Sequence, residues 1–202
     1  QLADSGESRY SQLGGNTLGF QAVGDEEYTF ILWVDNRYNE QEQVFLQVVD
    51  NVSGDILLTE NGIAITEPYN DIYEMKAAYL EDSNMVGLIW YYRFEDRPLI
   101  QVVDLAGNRL CGESGMLLTL EEGLEMHNED SFSISSVGNG FNVIWDDYDG
   151  EWMEAQYPTM QRIENGQLMW GDNGIKLEFL EHDEGMSGEI VISDYIICKI
   201  NN

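Results

Sequence analysis

The chain has 202 residues, of which 38 are Asp or Glu and 9 are Lys or Arg, for a formal net charge of −29. Such a surface repels phosphate backbones and anionic lipid, so nucleic acid and membrane insertion are not expected, and salt or divalent cations are favoured to screen it. With 43% hydrophobic and 11% aromatic residues the chain can build a packed core, and no window approaches the roughly 20 apolar residues of a membrane span.

In chain order, the first element is "TLGFQAV", followed by the acidic turn "GDEE" and then "YTFILWVDNR" (28–37), an alternating aromatic and β-branched run of strand type. "VFLQVVD" (44–50) reads as its partner, and "SGDILLTENGIAIT" (53–66) closes the segment with Gly54 and Gly62 eight positions apart. The arrangement then recurs. "YEMKAAYLED" (73–82) has helix-forming composition, but it stands where "TLGFQAV" stands, so it is read as a strand. After it come "NMVGLIWYYR" (84–93), "PLIQVVD" (98–104) and a glycine pair at Gly107 and Gly115. A third round runs "SFSISSV", "GFNVIWDDYD" and "TMQRIEN" to Gly166 and Gly174. Trp33, Trp90 and Trp145 align 57 and 55 residues apart, and Gln47, Gln101 and Gln161 align in the next strand.

Each round amounts to an inner strand, a Trp strand, a Gln strand and a short outer strand after the first Gly, a four-stranded antiparallel unit of roughly 55 residues, the period of a β-propeller blade. The expected fold is all-β: three such repeats at about 17–71, 72–130 and 131–175, with 176–202 a partial fourth or a set of terminal strands. Three and a fraction do not close a ring of about 4 to 8 blades. The open edges therefore call for cover from further chain or from additional copies. The chain opens at Gln1, which reads as a processed chain or a segment of something longer.

Trp33-x-Asp35-x-Arg37, Gln47, Asp50, Gly54 and Asn61-Gly62-Ile63, together with Gln161-Arg162-Ile163, Gly166, Trp170-Gly171 and Asn173-Gly174-Ile175, resemble the propeller-like repeat proteins of bacterial cell surfaces. The resemblance covers about 17–177. It implies a secreted or cell-surface module that acts in binding or assembly, as a filament or surface-complex subunit, with a protein partner or further copies completing the propeller. Tyr92 in place of Asp35, and Cys111 in place of Trp170, depart from the pattern.

Chemistry is sparse. "DDYDGE" offers Asp146, Asp147, Asp149 and Glu151 as alternating oxygen ligands before and after a Gly, a pattern able to wrap Ca²⁺, with an acidic hairpin turn as the plain alternative. "GDEE" (24–27) and "EHDEG" (181–185) are weaker versions. His127 and His182, the two histidines, both sit among acidic loop residues. No nucleophile elbow, zinc spacing or phosphate loop occurs, so no catalytic residue is assigned. The rival class is a carbohydrate-active propeller enzyme using carboxylates in a central funnel. Asp35 and Arg37 are expected to tie turns together, and Cys111 to be a buried thiol.

Overall fold

The apolar runs and the Gly- and Asp-rich turns between them become antiparallel strands in the computed structural model, which describes residues 20–38, 41–69, 72–92, 95–119, 132–148, 156–177, 188–193 and 196–201. The first sheet is ordered β1 (Gln21–Gly24), β2 (Tyr28–Tyr38), β3 (Gln41–Asp50), β4 (Ile63–Ala64). The second repeats it with β5 (Ile72–Leu80), β6 (Met85–Tyr92), β7 (Glu95–Asp104) and β8 (Met116–Leu117). The third has β9 (Phe132–Val137), β10 (Gly140–Tyr148) and β11 (Gln156–Glu164), with both β12 (Gln167–Leu168) and β13 (Ile175–Lys176) paired to β11. A hairpin of β14 (Gly188–Ser193) and β15 (Ile196–Asn201) follows. The described residues contain no α-helix, and no helix among them is long and apolar enough to cross a membrane.

The expected outer strand is corrected by the structure: it comes in two pieces. After the first Gly of each repeat the chain's backbone pairs only briefly with the Gln strand, around the bridges Val49↔Ile56 and Val103↔Arg109 or through β12. It loops out and returns after the second Gly, where β4, β8 and β13 pair with the other end of the same strand. The second Gly therefore sends the chain back to its own sheet before it moves on. The return closes identically each time, with Ile65, Leu118 and Leu177 donating their N–H to the carbonyls of Val44, Pro98 and Pro158. Proline is tolerated at two of these sites because the position serves as an acceptor.

Two apolar clusters hold the sheets face to face. Phe30, Leu32, Val44, Leu46 and Val48 of the first sheet pack against Val86, Leu88, Trp90 and Val103 of the second. From the opposite side of the second sheet, Ile89, Tyr91, Ile100 and Val102 pack against Phe132, Phe141, Val143 and Trp145 of the third. Alternate residues of β6 thus enter opposite cores, as the two-residue period of a strand requires, and this explains why its middle reads as a continuous apolar run. Gly87 lies on the side facing the third sheet, where a Cβ would stand 2.8 Å from the Phe141 ring. Its missing side chain is the seat of that ring. The first strands of the sheets, β1, β5 and β9, lie beside one another in series.

Candidate functional site

Four features shape the repeats and the contacts between them, and the first is the aligned glutamine. Gln47, Gln101 and Gln161 are buried in their strands. Each Nε2 donates across the gap to the looped-out segment, to the carbonyls of Thr59 at 2.7 Å, Gly112 at 2.8 Å and Gly171 at 2.8 Å. Each Oε1 accepts the N–H of Leu58, Cys111 or Trp170 and that of the residue following the Gln. The side-chain amide replaces the ladder that the outer segment lacks, and so satisfies backbone groups that would otherwise be stranded.

The second feature is the tryptophan against the second glycine. All six repeat glycines, Gly54, Gly62, Gly107, Gly115, Gly166 and Gly174, have φ between +72° and +86°. At Gly62 and Gly115 a Cβ would also lie 2.5 Å from the indole of Trp33 and Trp90 respectively, whereas at Gly174 it would first meet the Met160 carbonyl. Trp90 and Trp145 are fully buried with no partner for the indole N–H among the described residues. They act as packing volume.

The third feature explains a departure from the repeat. Trp33 is on the face of the first sheet that no other described sheet covers, and there polar groups are tolerated. Arg37 lies 4.1 Å above the Phe45 ring, pairs with Asp35 at 2.5 Å and donates to the Asn61 carbonyl at 2.9 Å. The same face of the second sheet is pressed against the first, and Tyr92 replaces the carboxylate and stacks on Tyr69 with ring centroids 3.9 Å apart. Burial raises the Asp35 pKa, but hydrogen bonds and charge from Arg37, with help from Trp33, outweigh it and hold the carboxyl below its ordinary value. A folded-state pKa below the unfolded one gives stability that is present above about pH 4 and lost as pH falls. Asp35→Asn is therefore expected to cost about 1 kcal/mol or less at pH 7, because the pair is partly exposed. The difference from wild type in urea melts should vanish near pH 2.

The fourth feature is the turn after the Gln strand. Asp50 and Asp104 accept turn N–H groups through Oδ1, from Val52 and Ser53 and from Ala106 and Asn108. In the third repeat Asn165 and Gly166, both at positive φ, make a two-residue turn instead. The second turn rests on the first repeat: a Cβ on Gly107 would run into Ile63 and Leu58, and Leu105 packs into the first core. The third turn rests on the second repeat, with Gly166 against the Leu110 backbone.

Cys111 occupies the Trp170 slot as a buried free thiol, and burial pushes its pKa up to about 11. Its reaction with a disulfide reagent at pH 8 is expected to be at least 100-fold slower in the native protein than in urea, because the thiolate is the reactive form; equal rates would contradict the assignment. Trp170 is partly buried, its N–H held by Gln161.

Of the cation candidates, "GDEE" forms the β1–β2 turn. Asp25 Oδ1 accepts from Glu27 and Tyr28 N–H, and Oδ2 accepts from the Tyr79 hydroxyl of the second sheet at 3.0 Å. Asp146 and Asp147 lie in β10 opposite Pro158 and Tyr157, while Asp149, Glu151, His127, His182 and "EHDEG" lie outside the described residues. Among the described residues no group of three His, Cys, Asp or Glu side chains is placed to hold a metal. The glutamine clamp and the glycine-on-turn contact were not assigned from sequence, although the aligned Gln was its signal. No known family model matches this chain, and no curated protein matches it.

Proposed function

We propose that the chain is a propeller-type repeat module of the bacterial cell-surface kind, acting outside the cell by binding and assembly. The observation that carries this reading is the serial packing of three like-built sheets with their first strands side by side, the relation that blades around an axis bear to one another. Three such units and a hairpin are fewer than the roughly 4 to 8 blades of a ring, so cover from further chain, additional copies or a protein partner is the proposed complement. The net charge of −29 suits high salt or Ca²⁺, for which the 146–151 segment is the proposed locus. The carbohydrate-active alternative needs a carboxylic acid with a raised pKa. Among the described residues, the carboxyls with a resolved shift, Asp25, Asp35, Asp50 and Glu164, are moved downward.

Light scattering combined with small-angle scattering, at 0.05 and 0.5 M NaCl and with or without millimolar Ca²⁺, tests the reading. A defined multiple of 23.0 kDa at high salt is expected. A 23.0 kDa particle under every condition would overturn it.

A further inference from the structure

β14 and β15 recur at the period of the repeats. The Trp strands β2, β6 and β10 begin at Tyr28, Met85 and Gly140, and β15 begins at Ile196, so the four starts are 57, 55 and 56 residues apart. The strands before them end at Gly24, Leu80, Val137 and Ser193, which are 56, 57 and 56 apart. The closing pairs match as well, since Val137↔Gly140 in the third sheet and Ser193↔Ile196 here each leave two residues between the strands. β14–β15 therefore holds the register of a first strand and a Trp strand, with Ile192 opposite Ile197 where the third sheet has Ser136 opposite Phe141.

The surface such a unit would cover is on the third sheet. Leu32↔Leu46, Ile89↔Ile100 and Ile144↔Met160 are equivalent cross-strand pairs of the three sheets. The first pair is buried under the second sheet, and the second pair under the third. Ile144 and Met160 lie on the face opposite Phe141, Val143 and Trp145; they are only 3% and 8% exposed, yet they belong to neither of the two clusters. Something other than the first two sheets therefore excludes water from them. On the same face Arg162 stands where the first two sheets have Val48 and Val102. Its own sheet holds it through Glu164, Asn142, Asn139 and the Val137 carbonyl, so a covering element need not supply it with a partner.

We infer that β14–β15 is the leading half of a fourth like sheet and lies on the far face of the third, over Ile144 and Met160, as the third lies over Ile89 and Ile100. The inference rests on the serial-stacking part of the proposed reading and not on assembly. A two-stranded hairpin alone is marginal in water, and this face gives it the apolar support that it lacks. The third sheet is then an interior layer, and a partner at this end would meet the hairpin instead.

Nuclear Overhauser contacts in the full wild-type chain, with Ile and Met methyls labelled, test the placement. Contacts within one chain from Ile144 or Met160 to Ile192 or Ile197 are expected. In the same sample the β14–β15 amides should exchange on the order of 100-fold or more slowly than in an unstructured chain, whereas an unsupported hairpin would show almost no protection. Methyl contacts that join Ile144 and Met160 only to other segments, or an unprotected hairpin, would overturn the inference. So would contacts seen only between chains, in a filtered spectrum of mixed labelled and unlabelled protein, because a second copy would then be the cover. Contacts within the chain stand whatever scattering shows about association, so this placement and the assembly reading fail separately.

Discussion

Replacing Gln101 with Leu is expected to destabilise the protein by about 3 to 5 kcal/mol, a large share of the roughly 5 to 15 kcal/mol that holds a domain folded. The volume of the side chain is nearly kept. What is lost is the donor to the Gly112 carbonyl and the acceptor for the Cys111 N–H, and each stranded buried group costs about 1 to 3 kcal/mol. Gln101→Glu gives the sharper result. The ionised carboxylate keeps the acceptor but has no proton for Gly112, so its folded-state pKa rises above the unfolded value of about 4.3. Its deficit in urea melts should be largest at neutral pH and shrink as pH falls and protonation restores a donor. A Glu variant as stable as wild type at pH 7.5 would show that the amide is not a clamp.

The second large effect separates two tryptophans that the repeat makes equivalent. Trp90 is fully buried between the first and second sheets, so Trp90→Ala is expected to cost about 3 to 5 kcal/mol. Trp33 holds the same place on a face that no other described sheet covers, against Phe45, Arg37 and the Gly62 segment, and Trp33→Ala should cost about half as much. Because the Trp90 indole N–H has no partner among the described residues, Trp90→Phe loses only volume and is expected to cost about 1 to 2 kcal/mol. Equal losses at positions 33 and 90, measured by chemical denaturation, would mean that the sheets do not pack in this order.

Much of this arrangement is legible in the sequence, because strands and turns are written in side chains. The Gly spacing marks the turns, and the Trp and Gln alignments mark the second and third strands of each sheet. "YEMKAAYLED" shows tertiary context overriding propensity: its Met75 and Leu80 enter opposite cores, and a strand buried on both faces outweighs the helix preference of Ala, Met and Lys. The two-piece outer strand was not legible, since β4, β8 and β13 are two residues long and are held by backbone pairing, while the looped-out segment before each is held by a Gln side chain from another strand. Nor was the stacking of Arg37 on Phe45, because the two residues meet only through the β2–β3 pairing. Arg37, paired with Asp35, holds its strand to the turn at the Asn61 carbonyl, whereas the acidic-hairpin reading of 146–151 and its Ca²⁺ alternative turn on side chains outside the described set.

Native-state hydrogen exchange measured residue by residue tests most directly whether three like sheets pack in series with the second in the middle. The account predicts that the β6 amides from Val86 to Trp90, covered on both faces, exchange only through global unfolding, more slowly than those of β2, and that the short β4, β8 and β13 pieces exchange fastest. Protection in β6 no greater than in β2 would contradict it.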